Sequence, residues 1–305
     1  MTDALASEMA AAARSLVTAA GSRARFRFDD DAARRWIEYR PRPRPGVSLA
    51  DLDVAGRKAA YRLLATGLSP TAYAQALAVV SLEEVLDRAE GWRRGRHLND
   101  YWVAVFGEPG GDEPWSWRFE GHHVSVSMTV VGPVVSPAPV FLGANPARVT
   151  YAGHTVSRPL APEEDVAFAL LSAMGPRGRA VAVVADEPPR DIASATSDRA
   201  SALSPAGVAL SALPLAARSL LTQLASLYLD RLPGALAASL YSADLTFAWA
   251  GPVTPGVPQY YRVQGPDLLI EYDNTADGNH AHTVLRRPTG DFGGDVLARH
   301  RAAYH

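Results

Sequence analysis

Two segments of the chain combine histidine with carboxylate side chains at spacings that suit a metal centre. The first runs from Trp117 to His123, in the order Trp-Arg-Phe-Glu-Gly-His-His. Period-two alternation predicts one long strand over residues 117–131, with Glu120 and His122 facing the core together. A buried carboxylate beside a buried imidazole is costly unless both have partners. A metal ion would be one such partner, and a hydrogen-bonded buried pair is the alternative.

The second segment begins with Glu-Tyr-Asp-Asn at 271–274 and ends with Asn-His-Ala-His at 279–282. On a strand, His280 and His282 point to the same face, so their rings can converge on one ion. Glu271 and Asp273 share a face of the preceding strand, and the connection between the two strands is short enough for a hairpin. Neither segment is persuasive alone, but together they contain four of the eight histidines. We therefore predict that they form one metal site.

Residue chemistry suggests a role for each member of the predicted site. The expected ligands of a divalent transition metal (zinc, iron or copper) are His122, His280 and His282. The carboxylates expected to act in catalysis, as a ligand or general base, are Glu120, Glu271 and Asp273. The residues expected to line a substrate pocket are Trp117, Arg118, Asn274, Tyr261, Arg262 and Gln264. For the aromatic ones, an ordinary sheet core is the alternative.

Two further histidines and one glycine-rich segment lie near these residues in the sequence. His123 should face away from His122 on a regular strand, so we expect it at the surface or behind the ligands, unless a bulge at Gly121 turns it inward. Membership of His300 in the site is left open. The segment from Gly290 to Asp295 lacks the spacing of a dinucleotide-binding loop, and we interpret it as a structural turn.

Three protein ligands leave a position for water or substrate, which is the pattern of a catalytic site. The leading hypothesis is therefore a metal-dependent enzyme that acts on a small organic substrate, with hydrolysis by metal-bound water as the first choice. A non-haem iron or copper oxygenase or oxidase is the alternative, since imidazole and carboxylate also suit those metals. A metal-free enzyme with paired carboxylates and a non-enzymatic binding module are the other two hypotheses.

The elements that must position these residues predict an α+β protein, with N-terminal helices packed on a mostly antiparallel β-sheet and further helices. Periodicity and capping signals predict helices over residues 4–20, 71–90, 162–174 and 214–232. Strands are predicted over 101–106, 117–131, 245–250, 259–264, 268–273 and 280–286. We expect a helical part over residues 1–90 and an α+β domain over 91–305 that carries the site, together forming one compact unit.

Composition excludes several other chemistries. The 305 residues include no cysteine, which removes thiolate catalysis, disulfides and iron–sulfur ligation. Lys58 is the only lysine, and it has no setting that suits a Schiff base or a phosphate loop. A net charge of −2 gives no global basic field, so we expect no nucleic-acid partner. No membrane span or secretory signal is evident, which favours a cytoplasmic protein, and the oligomeric state is left open.

Several motifs resemble the bacterial and fungal family catalogued as domain of unknown function 3500. The resemblance extends over roughly Leu82 to His300, and residues 1–45 carry no such signal. It implies no particular reaction. The motifs are Trp-Arg-Phe-Glu-Gly-His-His at 117–123, Phe-Leu-Gly-Ala-Asn-Pro at 141–146, Phe-Ala-Trp-Ala-Gly at 247–251, Glu-Tyr-Asp-Asn-Thr at 271–275, Asn-His-Ala-His at 279–282 and Asp-Phe-Gly-Gly-Asp at 291–295.

Overall fold

A computed structural model describes residues 2–275 and 277–304. Its helices are α1 (Thr2–Ala20), α2 (Asp31–Arg34), α3 (Val54–Gly67), α4 (Pro70–Ala89), α5 (Ala161–Ala173), α6 (Gly175–Ala182), α7 (Leu215–Leu229), α8 (Gly234–Ala237) and α9 (Gly294–Tyr304). Its strands are β1 (Arg25–Phe26), β2 (Val47–Ser48), β3 (Tyr101–Phe106), β4 (Trp115–Gly121), β5 (Val124–Val131), β6 (Val134–Ala144), β7 (Val149–Tyr151), β8 (His154–Ser157), β9 (Val183–Ala185), β10 (Val208–Ala209), β11 (Thr246–Ala250), β12 (Gln259–Gly265), β13 (Leu268–Thr275) and β14 (His280–Arg286).

Most of the described strands join one sheet in the order β1-β3-β4-β5-β6-β14-β13-β12-β11-β10, with β2 beside β3 and β9 beside β11. The long central strands pair in antiparallel fashion, whereas the short edge pairs β1–β3 and β9–β11 are parallel. Strands β7 and β8 form a separate hairpin. The predicted α+β class is confirmed, and N-terminal helices precede the mostly antiparallel sheet. No helix within the described ranges is both long and apolar enough to cross a membrane.

One face of the sheet is apolar and is covered by helices. Trp117 and Phe119 of β4 alternate with polar neighbours, and their side chains join Tyr261 of β12 in the large buried core. Helices α1, α3, α4, α5 and α7 contribute the opposing residues of that core, among them Leu16 and Leu64. Because side chains alternate along a strand, every second side chain of each long strand packs against the helices.

The other face of the sheet is polar, yet it is also buried. Two irregular segments cover it, and we call residues 27–46 the first strap and residues 186–207 the second strap. A small apolar cluster joins both straps to the sheet, and it consists of Ile37, Tyr39, Phe141, Ile192 and Val284. Because most of each strap forms no helix or sheet, its buried backbone groups need side-chain partners. The charged residues of the polar face provide them.

The prediction of one strand over residues 117–131 is wrong. The chain reverses at His122 and His123, so β4 ends at Gly121 and β5 begins at Val124, which pair with each other. A two-residue connection is the shortest common hairpin loop. The sequence gives little sign of it, because the two loop residues are histidines rather than the Asn-Gly or Asp-Gly that usually mark such loops.

The reversal also changes which residues share a face. Glu120 pairs with Ser125 on the polar face, whereas Phe119 pairs with Val126 on the apolar face. Glu120 is therefore buried beneath the first strap and not in the helix-covered core where the strand prediction had placed it. His122 lies in the loop and shares no strand face with Glu120.

Candidate metal centre

The turn between β4 and β5 carries His123 in a left-handed conformation, with φ of 62°. Few residues other than glycine adopt this conformation without strain, so the turn needs support from outside. The backbone supplies it on both sides. His123 N donates to Tyr39 O at 3.0 Å in the first strap, and Gly143 N of β6 donates to His123 O at 2.7 Å. The Tyr101 hydroxyl donates to His122 O at 2.8 Å. These contacts turn the His123 ring towards the sheet.

His123 meets His280 and His282 at the start of β14, and we call these three residues the histidine triad. One nitrogen from each ring lies within 4.8 Å of the other two. The Nε2 atoms of His123 and His280 are 2.9 Å apart. His123 and His282 are 3% and 8% exposed, and His280 is partly exposed. The predicted pair His280 and His282 therefore lies in the group, but its third member is His123 rather than His122.

Gly143 makes the space that the His123 ring occupies. A Cβ atom at position 143 would lie 2.8 Å from His123 Cδ2 and 2.9 Å from Ala281 O, closer than side chains pack. Gly143 pairs with His282 across the β6–β14 ladder, so its missing side chain opens the gap directly beside the second ring. The absence of a side chain at residue 143 is thus a condition for the triad.

Two carboxylates lie behind His282. Its Nδ1 atom is 3.0 Å from Asp191 Oδ1 and 3.3 Å from Asp273 Oδ2. The Tyr39 hydroxyl donates to Asp191 Oδ2 at 2.7 Å and fixes that carboxylate from the first strap. In the neutral ring, an Nδ1–H that donates to carboxylate leaves Nε2 unprotonated, which is the usual support of a metal-binding histidine. The sequence predicts Asp273 but not Asp191, since no local pattern distinguishes one aspartate in an irregular segment.

Burial and mutual proximity control the protonation of the triad. Burial, with the neighbouring imidazoles, lowers the pKa of His123 well below its usual value, and burial lowers the pKa of His280 to about 4. Burial disfavours charge on His282 as well, but Asp273 and Asp191 prevail and raise its pKa to about 9. Burial raises the pKa of Asp273 to about 6. Near pH 7, His123 and His280 are therefore neutral, the form in which imidazole binds metals, whereas His282 is protonated and would release a proton on binding one.

His122 stands beside the triad with partners of its own. Its ring stacks on His123, with centroids 3.8 Å apart, while its Nδ1 forms a short contact with Glu83 of α4. Arg96 Nη1 lies 3.3 Å from the same nitrogen and 3.7 Å from Glu83 Oε2. Glu83, His122 and His123 also bring ligand atoms within 4.8 Å of one another. A guanidinium already neutralises the carboxylate there, which makes this group a poorer metal site than the triad.

The family described as "Protein of unknown function (DUF3500)" matches residues 1–294. The chain belongs to this family. The match begins at the first residue, so the expectation that residues 1–45 carry no family signal is wrong, and both straps lie inside the matched region. No curated protein and no solved structure matches the chain.

In this DUF3500 protein, the predicted catalytic glutamates anchor the straps. Glu120 accepts hydrogen bonds from Trp36 Nε1 at 2.6 Å and Glu38 N at 2.7 Å in the first strap. Glu271 accepts from Ala193 N at 2.6 Å and Ser194 N at 3.0 Å in the second strap. Both glutamates are 0% exposed. Their oxygens therefore satisfy backbone and side-chain donors, and the structure does not bring either into the triad.

Three predicted substrate-binding residues on the polar face also contact the straps. Arg118 donates to the carbonyl oxygens of Ala33 and Pro45, and Arg262 donates to the Pro205 carbonyl. Gln264 accepts from Leu203 N at 2.7 Å and donates to Leu203 O at 3.1 Å. These contacts account for why polar side chains are buried on this face.

The remaining predicted substrate residues lie on the opposite, helix-covered face. Trp117 packs on Gly67 of α3 so closely that a Cβ there would lie 2.7 Å from the indole. The Tyr261 hydroxyl donates to Glu163 O at 3.0 Å. Asn274 donates to Glu164 Oε1 at 3.1 Å, but its own Oδ1 accepts from His280 N at 3.0 Å. Of these three, Asn274 alone contacts the triad, through the backbone of His280.

The C-terminal motif lies away from the triad. Asp291 accepts from Arg286 Nε at 2.6 Å and Arg287 N at 2.9 Å, which closes the turn after β14. A Cβ at Gly293 would lie 2.4 Å from Thr129 Cγ2, which agrees with a structural turn in close backbone contact. His300 follows on α9 and lines a different cleft, beside the β5–β6 turn.

Proposed function

We propose that this protein is a metal-dependent hydrolase of a small organic substrate, with a divalent transition metal bound by His123, His280 and His282. The observation that carries the proposal is the approach of two neutral imidazole nitrogens to 2.9 Å beside a third histidine held by carboxylates. Three imidazoles suit zinc, copper and iron. The proposal replaces His122, the sequence-based choice, with His123.

The spacing of the nitrogens supports this choice of ligands. Two nitrogens that each lie about 2.1 Å from one metal are roughly 3.0–3.4 Å apart at octahedral or tetrahedral angles. For both nitrogens to bind one metal, the observed distance of 2.9 Å between them would have to increase by a few tenths of an ångström. His280 is partly exposed, so its ring can make this adjustment. A single N–H···N hydrogen bond between His123 and His280 is the competing explanation of the contact.

Each residue would have a distinct part in such a site. Asp191 and Asp273 would hold the His282 ring and its tautomer, and Tyr39 would hold Asp191. Three protein ligands leave a position for water or substrate, and a bound zinc lowers the pKa of such a water molecule towards neutrality. Hydrolysis therefore needs no redox-active metal and no cysteine or lysine nucleophile.

The test is metal analysis of chain purified without added ions and then dialysed against zinc. We expect about one ion per chain for the wild type and nearly none for His123→Ala, His280→Ala or His282→Ala. His122→Ala is the matched control, because His122 is adjacent to the triad but contacts Glu83 and Arg96. His154→Ala, on the exposed β7–β8 hairpin, is a second control. Both controls should retain the ion.

Loss of the ion from His122→Ala but not from His123→Ala would restore the sequence-based ligand set and overturn this one. If the wild type binds no metal, the proposal is wrong, and a hydrogen bond between His123 and His280 explains their contact. The zinc-loaded chain should also hydrolyse p-nitrophenyl acetate faster than His123→Ala does. Iron or copper in the chain as purified would favour the oxygenase or oxidase alternative.

Two other hypotheses have less support. A carboxylate-pair enzyme would need free carboxylate oxygens, whereas Glu120 and Glu271 accept hydrogen bonds from the straps. A non-enzymatic binding module predicts metal or ligand binding without turnover of any substrate. A small-molecule substrate, no nucleic-acid partner and a cytoplasmic location remain predictions.

A further inference from the structure

An open cleft of about 550 Å³ lies next to the triad, on the far side of the His122 ring. This volume falls within the range of small-molecule sites. Its walls are mainly cationic and aromatic, and they include Arg42, Arg44, Arg94, Arg96, Trp102 and His122. Since His122 also stacks on His123, only the His122 ring separates the cleft from the candidate metal centre.

Two arginines of the cleft are more exposed than the carboxylates that they contact. Arg42 is 48% exposed, whereas Glu38, which it contacts, is 4% exposed. Arg94 is 64% exposed, whereas Glu90, 3.2 Å from its Nε, is 25% exposed. A guanidinium has five N–H donors, and each of these contacts uses only part of them. The solvent side of the cleft therefore presents donors and positive charge.

The lining has four arginines but only two acidic residues, Glu83 and Asp100. Glu83 is 3% exposed and contacts His122 and Arg96. Asp100, the other acidic residue of the lining, is partly exposed. Trp102 is partly exposed and offers an aromatic surface beside the arginines. Pro41 and Pro43 stiffen the part of the first strap that lines the cleft, since proline fixes the backbone φ.

We propose that this cleft is the substrate subsite of the metal centre, and that it binds a small carboxylate whose charge Arg42 and Arg94 recognise. A planar guanidinium matches a carboxylate in geometry and forms charge-assisted hydrogen bonds with it. The apolar body of the ligand packs on Trp102. The substrate class thus named rests on the proposed function, but the binding itself does not require the metal.

The test compares benzoate with benzamide, which have the same shape but differ in charge, by isothermal titration calorimetry. We expect benzoate to bind at least about tenfold more tightly, equivalent to roughly 1.4 kcal/mol. Arg94→Gln and Arg42→Gln should each weaken benzoate binding by about tenfold, as the loss of a charge-assisted bond predicts. Arg177→Gln, which alters an exposed arginine on α6, is the matched control and should bind benzoate normally.

Equal affinity for benzoate and benzamide would overturn the proposal. The absence of benzoate binding at about 10 mM would also overturn it, because such a site should have a Kd below that concentration. Normal benzoate binding by both Arg94→Gln and Arg42→Gln would also overturn it. Each titration is run on chelator-treated and on zinc-loaded chain. Benzoate binding by a chain that takes up no zinc refutes the metal centre alone, and zinc uptake without charge discrimination refutes the subsite alone.

Discussion

Replacing Glu120 with glutamine should destabilise the protein but leave a metal bound by the triad in place. Glu120 accepts hydrogen bonds from Trp36 Nε1, Glu38 N and Ser125 Oγ at 2.6, 2.7 and 2.7 Å. A glutamine has nearly the same shape, but one of its two acceptor positions becomes an NH₂ donor that faces another donor. At least one of these buried hydrogen bonds is therefore lost, and the first strap loses part of its attachment to β4.

The change in charge adds to this loss. Arg118 Nε and Arg44 Nε lie 3.3 and 3.4 Å from Glu120 Oε2, and all three side chains are nearly inaccessible to solvent. Removing one partner from a buried ion pair typically costs about 3–5 kcal/mol, because the remaining charge has no compensation. With an unfolding entropy of about 2.1 cal/mol/K per residue, that cost corresponds to a fall in Tm of about 5–8 °C.

Calorimetric unfolding and metal analysis of the same purified variant test this reasoning. We expect Glu120→Gln to unfold at a lower temperature than wild type and to retain its metal. Glu113→Gln, an exposed change in the β3–β4 loop, controls for the substitution itself. A Tm within 1–2 °C of wild type, roughly 1 kcal/mol or less, would refute the anchoring role. A stable variant that had lost its metal would return Glu120 to the site as a ligand.

Two further predictions concern the surroundings of the triad. Gly143→Ala should lower metal occupancy although it removes no ligand, because the new Cβ would lie 2.8 Å from His123 Cδ2; metal analysis checks this against Gly234→Ala, where no atom lies within 4 Å. Asp273→Asn should weaken zinc binding by roughly 10–100-fold, the usual effect of losing a carboxylate behind a ligating histidine. Competition with a chromophoric chelator measures that affinity, and an unchanged value would mean that Asp191 alone holds His282.

Much of the fold is predictable from local sequence, because its elements are formed by neighbouring residues. The helix signals at Ser69 and Pro70 predict the start of α4, and the Ser69 side chain does accept from Ala72 N at 3.2 Å. The strands over residues 259–264, 268–273 and 280–286 follow one another with short turns, and each is observed within two residues of its predicted bounds. Alternation and turn residues carry that information within a few positions.

The turn at His122 and His123 could not be predicted in this way. The partners that stabilise the left-handed His123, Tyr39 O and Gly143 N, lie far away in the sequence. The alternation of polar and apolar residues over 117–131 continues across the loop, so the sequence pattern resembles that of a single strand. Asp191 was missed for a related reason, since only the path of the second strap over the sheet brings it to His282.

Burial on both faces also explains why the structure does not bring all the predicted site residues together. An inward-facing charged residue needs a partner, and sequence alone cannot distinguish a metal or substrate from the backbone of an irregular segment. Glu120 and Glu271 satisfy the requirement through strap N–H groups. Arg118 and Arg262 satisfy it through strap carbonyl oxygens. These four residues are buried, but their partners are structural.

His123 differs from these anchors because its side chain is not what attaches a strap. The His123 backbone alone makes the bonds to Tyr39 and Gly143, and any residue except proline, which lacks an N–H, could make them. A glycine or asparagine would make them with less strain in the left-handed conformation, which costs roughly 1–2 kcal/mol for other residues. The imidazole instead occupies a gap left by Gly143 and faces the nitrogen of His280. The strained backbone and the open space both accommodate the His123 ring, which points to a use for that ring. The metal ligation that we propose would account for both.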